Sequence, residues 1–273
     1  MNKQVVSSAV YISIFSLGLV GGADAALFGR LPASPGGTDY QAYYDDVLDI
    51  TWLADANLAA SNTFGLPYNM DLGDHPNDSY AATYTELIYS DGRMNWGGAL
   101  HWIDAMNAYG GAGYLGFNDW RLPTMMDTGT GGCDYSTNGT DCGYNVQTGS
   151  VATTVYSEMA SLWYDTLGNT AAFDIAGNPT GCGFSCLTNA GPFSNIQSWY
   201  YWTGIEYAPS VGDAWGFYAT TGFQFNLSKD YPLYGWAVRS GDVSAVPVPS
   251  AAWLFVSGLL SILGVKRSRR FLR

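Results

Sequence analysis

The amino-acid sequence predicts an α+β domain rather than a parallel α/β sheet, because helical and extended patterns occupy different halves of the chain. In the first half, apolar residues recur at helical spacing between residues 96 and 106. From residue 198 onward, short aromatic and β-prone segments alternate with glycine-containing turns. Between the halves lie long loops rich in glycine and asparagine, which contain all four cysteines.

The N-terminal residues have the pattern of a secretory signal peptide. Lys3 precedes an uncharged, mostly apolar stretch at residues 9–20, and Ala23-Asp24-Ala25 matches the small-x-small cleavage pattern. We therefore expect residues 1–25 to be removed and residues 26–242 to form the exported domain. An uncleaved N-terminal anchor is the alternative, although the apolar stretch is short for one.

Individual elements follow from local patterns. Asn95 is expected to cap a helix that starts at Trp96 and ends at Gly110-Gly111. A second helix is expected over residues 155–163. The expected β segments are residues 49–53, 198–205, 214–218, 222–227 and 235–239.

The four cysteines predict two disulfides in an oxidising compartment. Of the three possible pairings, the local ones, Cys133–Cys142 and Cys182–Cys186, are favoured, because each brackets a short loop that contains glycine. A zinc site fits these spacings badly. A thiol-exchange role also fits badly, since Cys182 and Cys186 are separated by three residues rather than two.

The charge of the expected exported domain limits its partners. Residues 26–250 contain five basic residues and 22 of the 23 acidic ones, a formal charge of −17. Nucleic acid and anionic glycans need cationic contacts and are therefore disfavoured. Divalent cations, neutral sugars or basic proteins suit this charge, and an acidic surface that only maintains solubility is the alternative.

The C-terminal residues 243–273 combine a Pro-x-Pro element, an apolar run and a basic cluster. A transmembrane helix over about residues 249–265 would be roughly 25 Å long, at the short end of a membrane span. Basic residues stay on the cytoplasmic side, so the domain would lie outside the cytoplasm. The residues that carry the pattern are Pro247, Pro249, Arg267, Arg269 and Arg270.

Residues 246–270 resemble the PEP-CTERM sorting signal of Gram-negative bacteria, although Val248 replaces the usual glutamate. The resemblance implies processing by an exosortase. It also implies a precursor tethered to the inner membrane, and a product at the cell surface or in the extracellular matrix. An ordinary stop-transfer anchor is the alternative.

Four sequence blocks resemble the Lcl C-terminal domain family of exported bacterial proteins. They are LDITWLADAN (residues 48–57), the stretch from Met94 through DWRLPT to Thr124, YYWTGIEYA with AWGFY (residues 200–218), and WAVRSG (residues 236–241). The resemblance implies a C-type-lectin-like α+β fold and an adhesive or matrix-associated module. Its motif residues are interpreted as structural: Trp52, Trp96, Asp119, Trp120, Arg121, Pro123, Trp202 and Arg239. We expect Arg121 to pair with a buried carboxylate such as Asp55 or Asp119.

The candidate ligand residues are aromatic. Trp199, Tyr201, Tyr207 and Trp215 belong to the densest aromatic cluster, and such rings can stack on sugar faces. Strand alternation places Trp199 and Tyr201 on the face opposite Trp202, which is expected in the core. Packing is the alternative role for all of them.

No cofactor is firmly predicted, but calcium is considered. Asp71, Asp74 and Asp78, or Asp127 with Asp134 and Asp141, offer oxygen ligands, although no twelve-residue calcium loop is present. His75 and His101 are expected to be packing or surface residues. No catalytic motif is recognisable.

Together these patterns predict an exported, non-enzymatic binding or adhesion module for polysaccharide or surface protein. The alternatives are a secreted hydrolase of matrix polysaccharide and a purely structural matrix component.

Overall fold

The structure is a computed structural model that describes residues 27–133, 136–137, 139, 141–149 and 157–243. The predicted signal peptide, transmembrane helix and sorting-signal residues lie outside these ranges, as does Asp134. Within them, every helix is too short or too polar to cross a membrane.

Two sheets organise the described residues. One has the strand order β1-β2-β3-β10 and the other β4-β9-β6-β7-β8-β5, and the pairs are antiparallel except β6 with β9. In chain order, the elements are β1 (Leu27–Pro32), β2 (Tyr40–Asp45), β3 (Ile50–Leu53), β4 (Arg93–Met94), α1 (Trp96–Ala108), β5 (Gly143–Tyr144), α2 (Glu158–Ala160), β6 (Tyr200–Glu206), β7 (Asp213–Tyr218), β8 (Phe223–Ser228), β9 (Leu233–Tyr234) and β10 (Val238–Ser240).

The predicted α+β class, with its C-type-lectin-like domain, is wrong. The described residues form a mainly β structure whose two α-helices have 13 and 3 residues. The second predicted helix is the single turn α2, which continues as a π-helical turn at Ser161–Thr166. Strands β1, β2 and β4 also lie in the half that was expected to be helical. Strand β4 pairs with β9, which is distant in sequence, whereas β1 pairs with β2 and β2 with β3, but β1 and β2 lack a clear alternation of apolar and polar residues.

The helix α1 begins and ends as predicted. The Asn95 side chain accepts a hydrogen bond from the Gly98 amide at 3.1 Å, and a 3-10 turn at Tyr109–Gly111 follows the last helical residue. The apolar residues at helical spacing form its buried face: Trp96, Ala99, Trp102, Ile103 and Met106. This face fixes α1 against the hydrophobic core.

Strand β3 is the centre of the first sheet. All four of its residues are buried, and it pairs with β2 on one side and β10 on the other. Trp52 on β3 packs edge-on against Trp236, with ring centroids 5.1 Å apart. The Trp236 indole donates a hydrogen bond to the Leu53 carbonyl at 2.8 Å. These contacts link β3 to the chain between β9 and β10.

The segment predicted as a last strand over residues 235–239 divides between two sheets. Strand β9 ends at Tyr234 in the second sheet, and β10 begins at Val238 in the first. The intervening residues, Gly235 to Ala237, carry the chain from one sheet to the other.

Both predicted disulfides are confirmed. Cys133 bonds to Cys142 and Cys182 to Cys186, with Cα atoms 5.5 Å and 5.0 Å apart. Each disulfide closes a short loop. Closing a loop stabilises the fold, because it reduces the conformational entropy of the unfolded chain.

Candidate functional site

Tyr201 lies in the core and not on a ligand-binding face. It is 0 % exposed, as is Trp202, which points to the other side of β6. Strand β6 lies inside its sheet, between β9 and β7, and both Tyr201 and Trp202 belong to the hydrophobic core, so alternation does not expose either residue. The expectation that Tyr201 contacts a ligand is therefore corrected, because the fold leaves it no exposed surface.

Tyr207 and Trp215 are also packing residues. Their rings meet edge-on at 5.3 Å, and they are 5 % and 2 % exposed. The Trp215 indole donates to Asp127 Oδ2 at 2.9 Å, and the Tyr207 hydroxyl accepts from the Gly132 amide at 2.6 Å. Both side chains therefore hold the segment that leads into the disulfide-closed loop against the second sheet, a role that their aromatic clustering in the sequence does not reveal.

Trp199 is the one predicted ligand residue with a large accessible surface, since 44 % of it is exposed. Its indole meets Tyr200 and Tyr218 edge-on, with centroids 5.8 Å and 5.9 Å apart. Those two tyrosines stack on each other at 4.1 Å. The ring is thus held by aromatic neighbours without being covered by them.

Trp199 borders an open cleft of about 410 Å³ at one end of the second sheet. The cleft combines the indole with several side chains that can form hydrogen bonds. Its lining residues are Asp91, Arg93, Gln197, Ser198, Trp199 and Tyr234.

Strand pairing brings these residues together from three parts of the chain. Arg93 on β4 lies opposite Tyr234 on β9, and Tyr234 lies beside Tyr201 on β6. Gln197 is fixed before β6, because its amide donates to the Tyr201 hydroxyl at 2.6 Å and its side chain donates to the Asn195 carbonyl at 2.8 Å. The buried ring of Tyr201 therefore contributes to the cleft by positioning the backbone at Gln197.

A tight turn places the charged pair of the cleft. Asp91 Oδ2 accepts from Arg93 Nε at 2.8 Å, and Asp91 Oδ1 accepts from the Arg93 amide at 3.1 Å. Gly92 between them has φ +87°, and an added Cβ would lie 2.0 Å from Asn57 Oδ1. Glycine is required here for both its conformation and its size.

The net charge of the cleft is close to zero, because the charges of Asp91 and Arg93 offset each other. Burial, with a smaller contribution from Asp91, raises the pKa of the Tyr234 hydroxyl, whereas Arg93 opposes the shift. Tyr234 therefore keeps its proton at neutral pH and can donate a hydrogen bond. The arrangement offers an apolar ring face beside neutral and paired polar groups, which suits an uncharged ligand that carries hydroxyls.

The polar residues of this cleft were not predicted from the sequence. Asp91, Arg93, Gln197 and Tyr234 belong to no motif and show no common spacing. The turn sequence Asp91-Gly92 was the available signal, since it marks a tight reversal.

Arg121 pairs with a buried carboxylate as expected, but with a different partner. Its guanidinium donates to both Glu158 oxygens, at 2.7 Å and 2.8 Å, and Glu158 also accepts from the Thr124 amide at 2.8 Å. The predicted partner Asp119 binds Arg239 instead, whose guanidinium donates to the two carboxylate oxygens at 2.7 Å and 2.8 Å. These hydrogen bonds lower the pKa of Asp119. The other candidate, Asp55, accepts from the Asn57 amide.

The remaining motif residues are buried. Three indoles donate to backbone carbonyls: Trp96 to Thr203, Trp120 to Tyr114, and Trp202 to Met94. The Trp52 indole has no hydrogen-bond acceptor among the described residues. Pro123 is buried, and its carbonyl accepts from the Gly204 amide at 2.9 Å. These positions support the fold and do not line the Trp199 cleft.

The aspartates considered for calcium are engaged in other contacts. Asp78 is buried and accepts from Lys229 Nζ at 2.8 Å and from the Tyr84 hydroxyl, whereas Asp71 caps a turn through the Gly73 amide. Asp74 is exposed. Asp127 accepts from Trp215 and from backbone amides, and Asp141 accepts from Thr128. Among the described residues, no group of three or more acidic, histidine or cysteine side chains is placed to hold a metal ion.

Comparisons with known proteins identify no relative: no family model, no curated protein and no solved structure matches this chain. The resemblances to Lcl C-terminal domains and to the PEP-CTERM signal therefore stay predictions from the sequence.

Proposed function

We propose that this protein is a non-enzymatic binding module for neutral polysaccharide, and that it acts at the cell surface or in the extracellular matrix. The single observation that carries the proposal is the exposed indole of Trp199, fixed at the border of a cleft with hydrogen-bonding side chains. Sugars present apolar C–H faces together with hydroxyls, and this cleft offers a partner for each.

The charge of the cleft supports a neutral ligand. Asp91 and Arg93 are paired at 2.8 Å, so neither contributes a free charge to a ligand. A paired carboxylate and guanidinium still have unused lone pairs and N–H groups, and these can bind sugar hydroxyls. An anionic glycan would meet the strongly acidic domain instead, which disfavours its approach.

The number of carboxyl groups in the cleft favours a binding role over hydrolysis. Glycoside hydrolysis uses two carboxyl groups on either side of the scissile bond. Among the described residues that line the cleft, Asp91 is the single carboxylate, and Arg93 already neutralises it.

The cellular location belongs to the same proposal. Two disulfides are typical of an oxidising compartment, and the predicted signal peptide and sorting signal agree with export through the inner membrane. An exosortase would process the precursor and release it to the matrix.

Trp199→Ala tests the proposal directly. Binding of the purified protein to a panel of neutral polysaccharides is measured by affinity electrophoresis, and we expect the variant to bind its best ligand about tenfold more weakly, a loss of about 1.4 kcal/mol. Tyr231→Ala is the matched control, because Tyr231 is 55 % exposed and does not line the cleft. Equal migration of the Trp199 variant and the wild type, or an equal loss in the control, would contradict the proposal.

A further inference from the structure

A second cleft, which shares no lining residue with the Trp199 cleft, has both apolar and polar side chains in its lining. It has a volume of about 270 Å³ and lies between α1, the loop at residues 75–77, the segment around Arg121, and β6. Its apolar lining consists of Leu100, Ile103, Leu122 and Ile205, and its polar lining of His75, Asn77, Asp104, Arg121 and Thr124.

The floor of this cleft is opened by a glycine in an irregular strand. The register of β6 against β7 shifts between Trp202 and Glu206, and Gly204 lies within this irregularity. A Cβ on Gly204 would meet the Leu122 side chain at 3.5 Å, an ordinary contact. Packing therefore does not require glycine here, and its absent side chain leaves space above Leu122. Such bulges often occur beside functional sites.

Asp104 places an accessible carboxylate at the edge of the cleft. Its side chain is 66 % exposed, and Oδ2 lies 3.1 Å from His75 Nε2. His75 is buried, and its Nδ1 accepts from the Asn77 amide at 3.1 Å. The ring proton is therefore on Nε2 and is donated to Asp104. A buried histidine thus orients an accessible carboxylate at the edge of an apolar floor.

The other charges near the cleft are already compensated. Arg121 is neutralised by its two bonds to Glu158. His101, whose pKa is raised chiefly by its bond to Glu86, is paired with that buried carboxylate at 2.9 Å. The buried Lys229 lies between Asp78 and Glu206, which leaves that group with an excess negative charge. The local field therefore favours a cation beside Asp104.

We propose that this cleft binds an aliphatic primary ammonium group, with the charge on Asp104 and the methylene chain on the apolar floor. An ammonium forms charge-assisted hydrogen bonds with a carboxylate, and its alkyl chain removes water from Leu100, Ile103 and Ile205. A hydrated divalent cation fits less well, because its remaining ligands would have to come from apolar side chains. The same chemistry is present in a free alkylamine and in a lysine side chain.

Titration of the full-length, disulfide-bonded protein with n-butylamine, followed by NMR, tests this site. We expect saturable binding with a dissociation constant on the order of 1 mM, and no saturation by the uncharged analogue 1-butanol at the same concentrations. Asp104→Asn keeps the shape and an acceptor for His75 but removes the charge, and it should weaken amine binding at least tenfold. Asp230→Asn is the matched control, because Asp230 is exposed and lies outside the cleft.

A second variant fills the floor without changing any charge. Gly204→Val should also weaken amine binding at least tenfold, while the melting temperature reports whether the fold is kept. Equal affinity in the wild type and either cleft variant, or an equal loss in Asp230→Asn, would overturn the proposal. A comparison of 1,5-diaminopentane with Nα-acetyl-lysine methylamide then distinguishes whether the ammonium group belongs to a free amine or to a lysine side chain. Tighter binding of the first indicates free amines, and tighter binding of the second indicates lysines of a partner protein.

Discussion

Arg121→Met tests whether the pair between Arg121 and Glu158 stabilises the fold. The Glu158 side chain is 0 % exposed and accepts three hydrogen bonds, two from Arg121 and one from the Thr124 amide. The variant leaves a buried carboxylate with one donor. Removal of one partner of a buried pair costs about 3–5 kcal/mol, and we expect about 3 kcal/mol, because the Arg121 side chain is 29 % exposed.

Urea unfolding followed by tryptophan fluorescence, with both disulfides intact, measures this cost. For a domain of roughly 220 residues, a loss of about 3 kcal/mol lowers the melting temperature by about 6–12 °C. The double variant Arg121→Met/Glu158→Gln removes the uncompensated charge and keeps an acceptor for Thr124. It should therefore recover about half of the lost stability. If the double variant is no more stable than the single one, an unpaired buried charge is not the cause, and the reasoning is refuted.

Two further predictions concern pH and processing. His101 has a raised pKa because of its bond to the buried Glu86, so its stabilising contribution should be complete below about pH 6.5 and decrease as the pH rises through the raised value. The difference in unfolding free energy between wild type and His101→Gln, measured by urea unfolding from about pH 5.5 to 8.5, should therefore decrease as the pH rises. A difference that does not change with pH would contradict this. In a host strain that lacks the matching exosortase, immunoblots of membrane fractions should show a larger, membrane-retained form, whereas unchanged size and location would argue against the sorting signal.

Local interactions were readable from the sequence. The Asn95 cap and the end of α1 depend on residues within one or two helical turns, and both disulfides close short loops. These features were predicted correctly because each is determined by neighbours in the chain.

Features that depend on long-range pairing could not be read in this way. Strand β4 has two residues and pairs with β9, far along the chain. Strands β1 and β2 pair locally, but their sequences lack a clear alternation of apolar and polar residues. The sequence does not reveal Glu158 as the partner of Arg121, because α2, which carries Glu158, approaches Arg121 only in the folded chain. The Trp199 cleft combines residues from the β4 turn, from β9 and from the segment just before β6, so its polar residues share no spacing that a sequence could display.

The pairing of β10 with β3 has a consequence for how the protein is made. Strand β3 lies near the start of the described chain, and its register partners Val238 to Ser240 lie near the end. While the polypeptide is being synthesised, one edge of β3 has no native partner and is available for incorrect strand pairing. We infer that the first sheet completes only after residue 240 has emerged, so that a chaperone able to shield β3 would increase the yield of native protein.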